Sequence, residues 1–447
     1  MANRLFYADN LDALRAHVAD ASVDLVYLDP PFNSNASYNI LFKSPGGHAA
    51  DSQIQAFEDS WHWNNAAEDS FEQVMRSGQT RAFDLLRAMR AFLGENDMMA
   101  YLAMMAIRLI ELHRVLKATG SLYLHCDPTA SHYLKLLLDA VFGAAGYRSE
   151  ISWKRSSAHN DARQGRRHYG NVRDTIFFYT KSRSWTWNWL HTGYDGDYVE
   201  SAYRHADADG RRYRRGDLTA AKPGGDVSYL WPVKRTQGGE WEADLDDEYL
   251  SPRAGSEYKQ VPPYNRRFWA YSRENMRRFA GEGRLAYAAS GMPEYKRYLD
   301  EMPGVPLQNA WHDIPPAVGG ESLGYPTQKP LALLERIIAA SSNEGDIVLD
   351  PFCGCGTFIL AAQKLERQWI GIDVTHLAIS LIERRMKDAF PGASFTVEGT
   401  PKDLASALDL ARRDKYQFQW WAVSMVDAVP LDGKKKGADG GIDGIIY

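Results

Sequence analysis

Asp346-Ile347-Val348-Leu349-Asp350-Pro351-Phe352-Cys353-Gly354-Cys355-Gly356-Thr357 is the stretch that decides the fold. An apolar strand runs into an acid and at once enters a Gly-x-Gly bend. Phe358 to Lys364 has helical composition, and Trp369-Ile370-Gly371-Ile372-Asp373 reads as another strand ending in another acid. Glycines let a backbone approach a ligand closely, and a helix starting there presents unpaired N–H groups to it. Strand, glycine bend, helix, strand, acid is the order of a nucleotide-type half-site, with the last acid suited to ribose hydroxyls. A Gly-rich turn in any parallel sheet would share the bend itself.

A second acid-tipped strand lies near the other end of the chain, in Leu25-Val26-Tyr27-Leu28-Asp29-Pro30-Pro31-Phe32. The corner suits chemistry on the amino group of a nucleic-acid base. Such an amine is a poor nucleophile because its lone pair is conjugated into the ring, so a site acting on it must hold both hydrogens and rehybridise the nitrogen. Asp29 offers a carboxylate acceptor and the Pro30 carbonyl a second one, while Pro30 and Pro31 fix the backbone so that both point one way. Phe32 offers a ring face for a base taken out of its helix. Asp and Pro also end many ordinary strands.

Together these motifs resemble the S-adenosylmethionine-dependent DNA amino-methyltransferases. Asp29-Pro30-Pro31-Phe32 matches their catalytic motif and Asp350 to Gly356 their cofactor loop. The catalytic motif stands first and the cofactor loop last, an order similar to the permuted beta group. Tyr7-Ala8-Asp9-Asn10, Gly120 to Asp127 and Pro326-Thr327-Gln328-Lys329-Pro330 match further, so the likeness covers roughly residues 1 to 400. The resemblance implies catalytic Asp29, Pro30, Pro31 and Phe32. It implies S-adenosylmethionine bound by Asp9, Asn10, Lys329, Asp350, Pro351, Phe352, Gly354, Gly356, Thr357 and Asp373. Among these, Asp350 and the bend amides would take the methionine part, Asp373 the ribose, Asp9 the adenine amine and Lys329 the cofactor carboxylate. An acidic first motif residue resembles the N6-adenine enzymes more than the N4-cytosine ones, which usually carry Ser there.

Composition is compatible with this and excludes other classes. A chain of 447 residues, 45% hydrophobic and 24% charged, can bury two or three globular cores. No window approaches the roughly 18 apolar residues of a membrane span, and no signal-peptide pattern opens the chain, so a soluble cytoplasmic protein is expected. Three cysteines make no disulfide framework and point to a reducing compartment. Cys353 and Cys355 read as small linings of a tight loop, and no metal site is expected.

A net charge of −5 argues against a polyanion partner until its distribution is seen. Between 151 and 300 there are 26 Lys and Arg against 20 Asp and Glu, so that stretch carries +6 and the remainder −11. Arg155, Arg166, Arg167, Arg212, Arg214, Arg215, Arg266 and Arg267 lie there among Tyr and Trp, a pattern suited to phosphate contact and base stacking. Double-stranded DNA is the expected partner, although solvated surface charge would look alike. A restriction-modification role would add a cognate restriction endonuclease; a solitary epigenetic role would not. A homodimer is compatible with either.

Strands at 23–28, 121–124, 150–153 and 175–179 alternate with helices at 101–116, 133–142 and 331–340, which predicts an α/β fold. Its form would be a doubly wound, mostly parallel sheet, and the family resemblance implies that it is Rossmann-like and circularly permuted. Residues 1–181 form the catalytic half, 182–320 an inserted target-recognition domain, 321–400 the cofactor half and 401–447 an appendage. Ligands of such sheets bind beyond the strand carboxyl ends where strand order reverses, so Asp29 and Asp350 should face one pocket. Residues 33–63, with Tyr38, Phe42, Trp61 and Trp63, suit either a flap closing over the base or satellite core. His125 and Asp127 suit a pocket wall. Gly437 to Gly444 resembles the first acidic element of a restriction-endonuclease-like domain without the rest of it; a Gly-rich tail would also fit. An N4-cytosine enzyme, a methyltransferase-endonuclease fusion and a noncatalytic DNA-binding module are the alternatives.

Overall fold

The structure, a computed structural model, describes residues 3–31, 36–43, 49–59, 62–156, 167, 169–222, 229–246, 257–325, 327–426, 428–430 and 444–445. Two compact units divide the chain, residues 1–189 with 308–447 and residues 190–307.

Nine strands of the larger unit make one sheet. In chain order they are β1 (Asn3–Tyr7), β2 (Val23–Leu28), β3 (Leu116–Cys126), β4 (Tyr147–Lys154), β5 (Arg173–Thr180), β6 (Ala310–Trp311), β7 (Ile347–Asp350), β8 (Gln368–Asp373) and β9 (Phe395–Glu398). Across the sheet they run β6-β4-β5-β3-β2-β7-β8-β1-β9. Only β5 runs against its neighbours β3 and β4; every other adjacent pair is parallel. Strands covered on both faces read as nearly unbroken apolar runs, and all six residues of β2 are buried. Its one acid, Asp24, is satisfied by Lys117 Nζ at 2.7 Å and the Ile347 N–H at 3.0 Å, which stitches β2 to both neighbours.

Helix Asp97–Val115 is apolar almost all round, as a helix enclosed by others must be. Asn96 caps it by accepting the Met99 N–H at 2.9 Å. Helix Leu331–Ser341 buries Leu333, Leu334, Ile337 and Ile338 and leads into β7. The chain leaves β2 toward β3 on one side and β7 toward β8 on the other, while Leu25 pairs with Val348 and Val26 with Leu349. Strand order therefore reverses between β2 and β7, as a permuted doubly wound sheet requires.

Three boundaries differ from expectation. The inserted unit is shorter than 182–320, because Asn188 is tied to the Ala339 and Ser342 carbonyls at 2.9 Å and β6 adds to the large sheet. Short antiparallel strands, Arg212–Gly216 and Pro293–Tyr298 among them, accompany a core of Trp231, Val233, Trp269, Met276 and Phe279. Residues 401–424 are not an appendage either: Trp420 is buried with Tyr325, Cys355 and Leu377, and Gln417 accepts the His376 N–H at 2.9 Å.

Strands Ala36–Lys43 and Ala49–Asp59 pair as a hairpin, but the side chains of Tyr38, Phe42 and Trp61 lie outside the described residues. Trp63 packs as satellite core, edge-on to Phe71 and under the Arg90 guanidinium at 4.5 Å. Of the Gly437 to Gly444 run only Gly444 is described, paired with Pro430. No described helix is long and apolar enough to cross a membrane.

Candidate active site

A cavity of about 280 Å³ opens at the carboxyl ends of β2 and β7. Four strand tips build its wall: Asp9 and Asn10 follow β1, Asp29, Pro30 and Pro31 follow β2, Asp350 to Cys355 end β7, and Asp373 ends β8. Sequence positions more than three hundred residues apart thus share one wall. Phe32 lies outside the described residues.

The bend after β7 needs its glycines for different reasons. Gly354 has φ +48° and lines the cavity, while Gly356 has φ +77° and starts helix Thr357–Lys364. A Cβ on Gly356 would stand 2.5 Å from Ile382 Cγ1, so this residue answers to packing against helix His376–Ala389. It is absent from the cavity wall, contrary to the expectation of ligand contact there. Thr357 does line the cavity, its hydroxyl 3.4 Å from both Cys355 Sγ and Arg385 Nη1.

Three carboxylates crowd the wall. Asp373 Oδ2 accepts the Gly354 N–H at 2.9 Å and Oδ1 accepts Thr375 N–H and hydroxyl at 2.9 and 2.8 Å, which ties β8 to the bend. Burial pushes its carboxyl up and these donors pull it back. Among the described residues Asp350 accepts only the Phe352 N–H, at 3.0 Å, and burial pushes it well above the usual carboxylate range, with Asp29 and Asp373 adding to the effect. Asp29 differs from both. Its Oδ2 pairs with Lys329 Nζ, and its Oδ1 is buried with no hydrogen-bond partner among the described residues. Lys329, expected beside a cofactor carboxylate, therefore sits on the β2 tip instead.

Below the wall runs a polar chain. Tyr27, fully buried and stacked on Phe358 at 5.5 Å, has its hydroxyl 3.0 Å from His125 Nδ1, and His125 Nε2 is 3.2 Å from Asp174 Oδ2. Burial raises the Tyr27 hydroxyl far above its ordinary range. His125 is thus beneath the cavity rather than in its wall. Asp127 caps helix Pro128–Phe142, accepting Thr129 N–H and hydroxyl at 2.9 Å each.

Arg108 escaped the sequence reading, although an arginine in the middle of the apolar helix Asp97–Val115 was a visible signal. It lines the cavity, donates to Asp9 Oδ2 at 2.7 Å and holds Asn10 Oδ1. Asn10 in turn donates to the Pro351 carbonyl at 2.9 Å, so its amide is spent clamping β1 to β7. Asp9 also caps helix Asn10–His17 through the Leu11 N–H at 2.8 Å. Tyr325, just before the Thr327-Gln328-Lys329 stretch, was missed as well; it is buried against Gly354.

Of the arginines expected at DNA, Arg155 is 3.2 Å from Asp174, Arg167 is exposed and Arg166 lies outside the described residues. In the smaller unit, Arg212 pairs with Glu200 at 2.8 Å, Arg215 with Glu294 at 3.2 Å and Arg267 with Asp217 at 2.9 Å. Arg214 faces Arg297 across paired strands, and Arg266 is exposed. Four of the eight arginines, Arg155, Arg212, Arg215 and Arg267, are thus beside acids already counted in the +6.

The sequence profile of the DNA methylase family matches residues 23–384. The type II methyltransferase M.EcaI of Enterobacter cloacae is 29% identical over 289 residues, 64% of this chain and 57% of its own length. The Mod subunit of the type III restriction-modification enzyme StyLTI of Salmonella typhimurium is 23% identical over 383 residues, 82% of this chain and 50% of its own. The DNA adenine methyltransferase YhdJ of Escherichia coli is 27% identical over 281 residues, 62% of this chain and 63% of its own. The chain spans less than two thirds of the length of each of these relatives. Because the matched residues run from the start of β2 through β7, β8 and the helix behind them, enclosing both acid-tipped strands, the chain belongs to the DNA methylase family.

Proposed function

We propose that this chain transfers a methyl group from S-adenosylmethionine to the N6 amine of an adenine flipped out of double-stranded DNA. The observation that carries this reading is Asp29 Oδ1, a buried carboxylate oxygen in the cavity wall without a donor among the described residues. A buried acceptor left unsatisfied is costly, and an amine hydrogen would complete it. The donor set also suits the cofactor. Asp350 can receive its ammonium, the remaining lone pair of Asp373 a ribose hydroxyl, and Asp9 beside Arg108 the adenine amine. When bound, the cofactor supplies a methyl group on a positively charged sulfur.

Asp29 then orients the base amine, and the Pro30 carbonyl takes the second hydrogen. The amine surrenders its proton only as the new bond forms, so alignment contributes much of the rate. An acidic first residue in Asp29-Pro30-Pro31-Phe32 and the likeness to YhdJ, described as a DNA adenine methyltransferase, favour adenine over cytosine. Arg155, Arg167, Arg214 and Arg266 remain the arginines to test for phosphate contact. The likeness to a Mod subunit supports a restriction-modification setting with a partner endonuclease.

The test offers DNA, RNA and protein side by side with S-adenosylmethionine labelled on its methyl group, then resolves the labelled nucleosides. N6-methyladenine in DNA is expected; N4-methylcytosine would correct the base, and label in RNA or protein alone would sink the reading. Asp29→Ala should bind S-adenosylhomocysteine normally, which shows that it is folded, and lose transfer by on the order of 10³-fold or more.

A further inference from the structure

We infer that Lys329 is a positioning residue for Asp29: by holding Oδ2, it aims Oδ1 at the place of the reacting amine. The inference rests on the methyl-transfer reading above and assigns Lys329 a role other than that of cofactor ligand.

Both partners are nearly enclosed, with 10% of the Lys329 side chain and 14% of the Asp29 side chain exposed. The lysine is held from behind. Nζ also donates to the Thr327 carbonyl at 3.3 Å. Gln328 accepts the Leu323 N–H at 2.8 Å and donates to the Glu321 carbonyl at 2.7 Å, so its loop is braced. On the other side Pro330 leads directly into helix Leu331–Ser341, whose buried face is anchored under the sheet. An ammonium on such a mount fixes where Oδ2 lies. A carboxylate with one oxygen fixed can no longer rotate freely, and its other oxygen acquires a direction.

Charge points the same way. Asp350 and Asp373 stand in the same wall, and like charges in a shared site disfavour one another. Lys329 supplies the opposite charge, and it does so on the carboxylate whose second oxygen has no donor among the described residues.

The test uses the full chain with Lys329→Ala, read by binding of S-adenosylhomocysteine, by kcat and KM for methyl transfer to DNA, and by rescue with ethylammonium. The expected result is cofactor-product affinity near that of the unaltered chain, which also shows folding, with kcat lower by about 10²-fold. Added ethylammonium should then recover about tenfold or more of the lost kcat, since a small cation can reoccupy the vacated place. Weakened S-adenosylhomocysteine binding with kcat unchanged at saturation would overturn the inference and return Lys329 to the cofactor carboxylate. Unchanged kcat and affinity, or a kcat loss that ethylammonium does not touch, would overturn it too. An unaltered chain that binds S-adenosylhomocysteine but methylates no DNA would instead remove the reading beneath it.

Discussion

Gly356→Ala should destabilise the chain, and the size of the effect can be worked from two local facts. At φ +77° an alanine occupies left-handed backbone, which costs about 1–2 kcal/mol. Its Cβ would stand 2.5 Å from Ile382 Cγ1 and 3.3 Å from Ile382 Cβ. Ile382 Cβ is fixed by the backbone, and moving Cγ1 needs a χ1 change that a fully buried β-branched residue inside a helix resists, so overpacking adds about 1–3 kcal/mol. Reduced freedom of the unfolded chain offsets about 0.4–1 kcal/mol, leaving a net loss of about 1–4.6 kcal/mol. Gly354→Ala is the internal control. It is also left-handed, at φ +48°, but its Cβ would meet only the Tyr325 ring at 3.6–3.8 Å, so its net cost is about 0–1.5 kcal/mol. The added methyl would instead sit on the cavity wall. Urea denaturation of both variants, paired with S-adenosylhomocysteine binding by calorimetry, should place the larger stability loss at 356 and the larger affinity loss at 354. Equal stability of Gly356→Ala and the unaltered chain, or the reverse ordering, would refute the division of labour between the two glycines.

Asp350→Asn should stabilise the chain at neutral pH while weakening S-adenosylhomocysteine binding. Burial raises the folded carboxyl well above its unfolded value near 4. The folded state then holds more protons than the unfolded one, so this group's contribution falls as pH rises through that window, and an amide removes the dependence. A variant less stable at pH 7, or one binding the product unchanged, would contradict this. His376 works in the opposite direction of pH. Burial lowers its imidazole to about 4, so below about 6.5 the unfolded chain takes a proton that the folded chain refuses. Stability should fall by about 3 kcal/mol between pH 6.5 and 4 through this residue. Urea midpoints for His376→Gln should fall less over the same range; parallel loss in both proteins would count against the assignment.

The sheet was legible where a strand carries an unbroken apolar run, as in Leu25–Leu28 of β2, Ile176–Tyr179 of β5 and Ile347–Leu349 of β7. It was less legible at the edges. β1 was noticed only for the Tyr7-Ala8-Asp9-Asn10 stretch at its end, since Asn3 to Tyr7 mixes Asn and Arg with apolar residues; it is a strand because β8 and β9 flank it. The convergence of Asp29, Asp350 and Asp373 followed from the rule that open parallel sheets bind ligands beyond their carboxyl ends. Partnerships among side chains did not follow. Lys329 could reach either a ligand or a neighbouring acid, and its pairing with Asp29 is seen only in the structure. Arg212, Arg215 and Arg267 looked like free cations because their acids, Glu200, Glu294 and Asp217, meet them through turns and cross-strand pairing.

β1 has both of its neighbours, β8 and β9, in residues 368–398. During synthesis at about 5–20 residues per second, the first strand must wait on the order of tens of seconds for a partner. β2 can pair early with β3, yet the face it will offer to β7 stays bare over the same interval. Contacts of such long sequence separation are slow to close. The emerging polypeptide therefore carries open strand edges until residues 347–398 have followed, and the pocket comes into being only with them.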